Sequence, residues 1–122
     1  MGSRKTDQRA AIYETLKNSK RPLSVQELLE EAQKVYPGLG IATVYRNIKR
    51  LLEDDTICRV ELQGSVCRYE LTELEHHHHF HCQACKKVFD IHACIGNVEQ
   101  LTPAGFTTDS HEIILYGRCP QC

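Results

Sequence analysis

The chain has 122 residues, 41% of them hydrophobic and 25% charged, with a formal net charge of −1 and seven cysteines. That make-up suits a soluble globular protein of one domain or two small lobes. No apolar run approaches the ~18 residues of a membrane span and no secretory signal opens the chain, so the expected location is cytoplasmic. Four of the seven cysteines fall in two Cys-x-x-Cys pairs, which in a reducing compartment reads as metal binding and not as a disulfide framework. The small net charge hides an asymmetry. Residues 1–50 carry ten Lys/Arg against five Asp/Glu, and residues 51–122 carry five against eleven. A basic half suited to a polyanion therefore precedes an acidic half rich in metal-ligating side chains.

In chain order, Thr6 is the expected cap of a first helix with Ile12 and Leu16 on its inner face. Lys20-Arg21-Pro22 ends it, because proline cannot continue a helix. Ser24-Val25-Gln26-Glu27 is a capping box, and Leu23 and Leu28 stand where a hydrophobic staple needs them. Leu28, Leu29, Ala32 and Val35 form the apolar stripe of this second helix, which Pro37-Gly38-Leu39-Gly40 breaks. A third helix is predicted from Ile41 to about Glu53, with Ile41, Val44, Ile48 and Leu51 facing the core. Its opposite face carries Thr43, Tyr45, Arg46, Asn47, Lys49 and Arg50. Arginine and asparagine can bond base edges in a major groove, whereas threonine and tyrosine can meet thymine methyls or phosphates.

Cys58–Leu62 and Cys67–Leu71 alternate with period two across Gln63-Gly64 and read as a β-hairpin, with Cys58 and Cys67 as small inward thiols. Three helices and a hairpin make the order of a winged helix-turn-helix. The next segment runs LTELEHHHHFHCQAC from Leu71 to Cys85. A purification tag is excluded by the position of this histidine run inside the chain. In an extended segment His77 and His79 project to one face and His76 and His78 to the other. Cys82-x-x-Cys85 and Cys119-x-x-Cys122 are two clips around a 33-residue insert, the pattern of a closed tetrahedral four-cysteine zinc site. Glu70, at the end of the wing, and Asp90 could join imidazoles in a second, harder and more open site for Fe(II), Mn(II) or exchangeable Zn(II). A short helix is expected over Cys94–Leu101 and a strand over His111–Tyr116.

Thr6-Asp7-Gln8-Arg9, Ala42-Thr43-Val44-Tyr45-Arg46, Tyr69-Glu70-Leu71, the histidine run ending in Cys82-x-x-Cys85, and His111 with Leu115-Tyr116-Gly117-x-Cys119 resemble the ferric uptake regulator family. The resemblance runs in order from about residue 6 to residue 122. It implies an α+β protein with a winged-helix DNA-binding domain over 1–71 and a small α/β dimerisation lobe over 72–122, stapled by zinc. The implied function is metal-responsive repression of metal-homeostasis genes by a homodimer bound to an AT-rich palindromic operator. Arg9, Tyr45 and Arg46 match DNA-contacting positions of the family. Glu70, His77, His79 and Asp90 match its regulatory metal ligands, and His76 and His111 match a further site whose acidic partner would be Glu99.

One departure bears on the metal. Where iron- and peroxide-sensing members usually carry a histidine before the second helix, this chain reads Lys20-Arg21-Pro22-Leu23. That favours a zinc sensor, with Cys58 or Cys67 able to stand in. Asp90 instead of Glu is a trait of the peroxide-sensing branch, so iron-dependent and peroxide-sensing repressors are the alternatives. A second departure, Glu53-Asp54-Asp55 in place of a glycine, puts Asp55 in a left-handed conformation. A zinc metallohydrolase is disfavoured, since neither His-Glu-x-x-His nor paired catalytic carboxylates occur. The chain is read as a regulator and not as an enzyme.

Overall fold

The computed structural model describes residues 4–122. The described residues form two compact units, divided between Leu74 and Glu75. The first holds α1 (Arg4–Asn18), α2 (Val25–Gln33), α3 (Ile41–Glu53), β1 (Ile57–Val60) and β2 (Arg68–Leu71). The second holds β3 (His78–Cys82), β4 (Val88–Ile91), a 3-10 turn (Val98–Leu101) and β5 (Ile114–Gly117). The architecture is α+β, as expected.

The apolar core belongs to the first unit. Ile12 and Leu16 of α1, Leu28 and Ala32 of α2, Val44, Ile48 and Leu51 of α3, and Ile57 and Leu71 of the hairpin form one buried cluster. Leu23, 1% exposed, enters the same cluster beside its staple partner Leu28, 0% exposed. The capping box is complete: the Glu27 N–H donates to Ser24 Oγ at 3.2 Å, and the Ser24 N–H donates to Glu27 Oε1 at 3.1 Å. Two orphan donors of the first turn are thereby satisfied.

Several expectations give way to local physics. Thr6 does not cap α1, because the helix begins earlier, at Arg4, among good helix formers. Ile41 is 42% exposed; Leu39, two residues before it and 2% exposed, supplies the core contact at that point. Val35, 70% exposed, lies past the end of α2, where helical phase no longer fixes its direction. The hairpin β1–β2 is antiparallel, with Cys58 opposite Glu70 and Val60 opposite Arg68.

Val60, Leu62 and Leu71 are buried as the period-two reading expects, but the rest of the hairpin departs from it. Arg68 and Glu70 are buried, at 5% and 6% exposure, while Cys58 and Cys67 are only half-buried. Arg68 tolerates the interior because its Nη1 lies 3.6 Å from Glu27 Oε1. Glu27 also takes a 2.7 Å hydrogen bond from Arg21. The Leu23 and Tyr69 backbones exchange hydrogen bonds of 3.0 and 2.8 Å, tying the wing to the segment before α2. After α3, Asp55 turns at φ 57°, as expected of the residue in the glycine's place.

The second unit is a three-stranded sheet in the order β4-β3-β5, antiparallel between β3 and β4 and parallel between β3 and β5. The expected helix over Cys94–Leu101 shrinks to its last turn, because Gly96 (φ 65°) and Asn97 (φ 39°) are left-handed. The last strand begins at Ile114, leaving His111 in the segment before it.

Glu27 yields the first prediction. Burial alone would raise its carboxyl, but the Ser24 N–H, the Arg21 hydrogen bond and the charges of Arg21 and Arg68 together hold it below its ordinary 4.5. A carboxyl lowered in the folded state stabilises above its unfolded pKa, and that contribution is lost as pH falls through the folded value. Glu27→Gln should therefore flatten the acid limb of stability below pH 4.5. At neutral pH, Ser24→Ala should cost about 1 kcal/mol in urea unfolding through loss of the cap.

Candidate metal centres and nucleic-acid interface

β3 is the middle strand of its sheet, and side chains alternate along it and its N-terminal approach. Three groups of metal-ligating side chains involve this segment.

The first group is the four-cysteine cluster. Cys82 ends β3, Cys85 follows in the knuckle, and Cys119 and Cys122 come just after β5. Sulfur separations are 3.8 Å for Cys82–Cys122, 3.8 Å for Cys85–Cys119 and 3.5 Å for Cys119–Cys122. A tetrahedral zinc with Zn–S bonds of ~2.3 Å needs edges of ~3.8 Å, so the four thiols fit that ion. Two backbone N–H groups, from Cys85 and Cys119, each donate to Cys82 Sγ at 3.4 Å. They pull the Cys82 thiol down to about 6, whereas sulfur contacts, Cys119 first, and burial push Cys122 up to about 12. Four thiols this close ionise together only around a cation. Lys86, at φ 67°, closes the knuckle, and its N–H bonds back to the Cys82 carbonyl at 3.0 Å.

The second group lies on one face of β3. His79 stands directly opposite Asp90 in the β3–β4 register. Nε2 of His79 is 3.5 Å, and Nε2 of His77 3.6 Å, from the same Asp90 oxygen. The Asp90 side chain is 3% exposed. His77 Nδ1 is 2.7 Å from the Glu75 carbonyl, which can only accept, so Nδ1 carries a proton and, in the neutral ring, the Nε2 lone pair faces Asp90. A lone pair aimed at a buried carboxylate is the arrangement a divalent cation would reconcile. Glu70 stands on β2 in the first unit, opposite Cys58. Burial, and then the Glu70 charge, push the Cys58 thiol up, which keeps it protonated at neutral pH.

The third group lies on the opposite face. His76, His78, Cys94 and His111 present donor atoms all within 4.8 Å of one another. Burial, followed by the neighbouring imidazoles, lowers the His78 pKa and favours the neutral ring. Glu99, expected among these donors, instead lines the adjoining cleft with His76 and His111.

On α3, Arg46 Nη2 donates to Thr43 Oγ1 at 2.9 Å and Asn47 Nδ2 donates to the Thr43 carbonyl at 2.8 Å. Arg9 of α1 joins Thr43, Arg46 and Asn47 around one open cleft, to which Lys5 and Arg50 add two further cations. Tyr45, 57% exposed, and Lys49 line a different groove, beside Arg59 of β1. The expected DNA-contacting set is thus divided between two adjacent basic surfaces.

Sequence reasoning passed over Cys94 and His78 as a pair, His92, and Lys5. Cys94 was signalled only as an odd cysteine outside the clips. The His92 ring lies 6.0 Å from that of His77, just past β4. Lys5 stands one helical turn before Arg9, a spacing that could have revealed it.

A profile of the ferric uptake regulator family matches residues 1–116. The chain is 32% identical to a ferric uptake regulation protein of Campylobacter jejuni, over 99% of this chain and 80% of that one. It is 30% identical to the peroxide operon regulator of Bacillus subtilis, over 99% of this chain and 85% of the relative. A solved zinc-bound manganese uptake regulator superposes with a TM-score of 0.81 at 30% identity, covering 97% of this chain and 92% of that chain.

Stripping metal from the full chain with a strong chelator should release a zinc ion that withstands mild chelation. Amide exchange at Val88 and Gly117 should then accelerate, read by hydrogen–deuterium exchange. Protection unchanged after zinc loss would show that the four cysteines are not the staple.

Proposed function

The chain belongs to the ferric uptake regulator family of metal-responsive transcriptional regulators, and we propose that it is a zinc-sensing repressor of metal-homeostasis genes. Residues 1–71 act as its DNA-binding domain and residues 72–122 as its dimerisation domain. The observation that carries this reading is the convergence of His77 and His79 on one buried oxygen of Asp90. Glu70 completes the regulatory set. It is a buried carboxylate on the second wing strand, immediately upstream in the chain, at the position the family uses.

Glu70, His77, His79 and Asp90 would hold a divalent ion, whose charge would let the wing carboxylate and the imidazoles act as one ligand set. The residues do the rest. His77, oriented by the Glu75 carbonyl, and His79, set opposite Asp90, turn their Nε2 atoms to one carboxylate oxygen. Glu70 commits the hairpin and, through it, α3. Ordering the two lobes in advance removes a cost from operator binding, which is how occupancy becomes affinity. Two recognition helices must then stand about one DNA turn, ~34 Å, apart to meet both half-sites of an AT-rich palindrome.

Homodimerisation is supported by the second unit's surface. Ile95, Leu101 and Phe106 are 80%, 80% and 71% exposed, and Leu115 and Tyr116 about half. β5 is moreover an edge strand with an unpaired side. Arg9, Thr43, Arg46 and Asn47 form the base- and phosphate-reading cleft, flanked by Tyr45 and Lys49. No helix among the described residues is long and apolar enough to cross a membrane. Zinc is favoured because the segment before α2 offers no histidine, and the peroxide- and iron-responsive relatives define the alternative.

Operator binding measured in zinc, iron(II) and manganese(II) titrations should respond at the lowest free concentration to zinc. His77→Ala with His79→Ala should abolish that response while leaving the four-cysteine zinc in place. Metal dependence unchanged in the double variant would overturn the regulatory assignment. Arg46→Ala should weaken binding by about 1–3 kcal/mol and relax base preference.

A further inference from the structure

His92 is an imidazole that neither the zinc staple nor the regulatory set uses. It follows β4 directly, two residues after Asp90. The β3–β4 register sets His78 opposite Ile91 and His79 opposite Asp90, and continued by one step it sets His92 opposite His77. Residues two apart leave a strand on one face, so His77, His79, Asp90 and His92 share a face of the sheet. The ring centroid of His77 is 4.9 Å from that of His79 and 6.0 Å from that of His92. Metal–nitrogen bonds of ~2.0–2.1 Å hold a ring centroid ~3.2 Å from the ion, so two rings on one ion stand at most ~6.4 Å apart. Both separations fall inside that limit. His92 is exposed and lies outside the four donors gathered within 4.8 Å of one another. An exposed side chain exchanges rotamers within nanoseconds, so this ring can close on an ion held by its neighbours.

We propose that His92 is a further donor to the regulatory ion, that it completes a ligand set within the second unit alone, and that this third imidazole directs the site to zinc over manganese. The inference rests on the reading of His77, His79 and Asp90 as regulatory ligands. All four side chains belong to the unit that begins at Glu75. Three imidazoles and one carboxylate fill the four positions of a tetrahedral zinc, whereas two imidazoles and one carboxylate leave a position open. The added donor also sets the preference. Imidazole nitrogen suits zinc, and carboxylate oxygen suits manganese, so a third nitrogen tilts the site towards zinc. Coordination uses the lone pair of the neutral ring, and a protonated His92 gives its proton to water first. The segment before α2, Lys20-Arg21-Pro22-Leu23, offers no histidine, and His92 supplies that nitrogen from the sheet instead. Capture and reporting thereby fall to different residues. The sheet sets affinity and metal preference, and Glu70 makes the wing respond to occupancy.

The test titrates zinc into the full chain, with zinc retained on its four cysteines as verified by native mass. Heteronuclear NMR of isotope-labelled histidine rings reports, residue by residue, which ring nitrogens bind the ion. The His77, His79 and His92 resonances should move to metal-bound positions together. His92→Gln should weaken zinc binding at His77 and His79 at least about tenfold. Manganese binding, read by broadening of the same resonances, should stay unchanged in that variant. His92→Cys, which offers a thiolate at the same place, should recover the preference for zinc. Glu70→Gln should leave all three ring shifts in place. If His77 and His79 move and His92 does not, the proposal is overturned while the regulatory site stands. If none of the three moves, the regulatory reading falls and the proposal with it. Unchanged zinc affinity in His92→Gln, an equal loss of zinc and manganese there, or loss of zinc from the three rings in Glu70→Gln would also overturn the proposal.

Discussion

The pleat of a single strand organises this protein's chemistry. Because successive side chains leave a strand on opposite faces, four consecutive histidines cannot converge on one ion. His77 and His79 go to one side and His76 and His78 to the other, and the same strand ends at Cys82. Each neighbour adds what β3 lacks. Antiparallel β4 brings Asp90 opposite His79, while the chain on either side of β5 brings His111 and Cys119. A shift of one residue in either register would exchange the partners of both faces at once.

The sheet needs help to hold that register. Apart from the two buried cysteines, Val88 is the buried hydrophobic residue of the second unit, whereas the first unit contains the whole apolar cluster. A lobe this poor in buried apolar area gains little from the hydrophobic effect. Coordination of a zinc ion by the four thiolates would provide the missing free energy and join the ends of β3 and β5. Gly117 shows how tight that junction is: a Cβ there would lie 3.1 Å from the Phe80 ring.

What was legible in the sequence was local. The Ser24–Glu27 capping box, the two cysteine clips and the alternation of the histidines each depend on spacing within a few residues, and spacing survives into structure. The burial of Arg68 and Glu70 was not legible, because their acceptance into the interior depends on partners elsewhere in the fold, such as Glu27 on α2. Nor was the placement of Cys94 beside His78 and His111. Its neighbours come from separate segments of the second unit, at β3 and before β5, so no local spacing announces the contact. Ile41 and Val35 failed for a simpler reason: helical phase was extended to the margins of helices, where it no longer governs direction.

The reciprocal Leu23–Tyr69 hydrogen bonds have a mechanical consequence. They add a third strip of backbone to the wing and, with the Arg68–Glu27 pair, clamp the hairpin to the start of α2, which packs in one core with α3. A hairpin joined only by its covalent ends could absorb a pull by bending. This one is braced on its inner edge, so β2 cannot shift without straining the Leu23 backbone bonds and the Arg68–Glu27 pair at the start of α2.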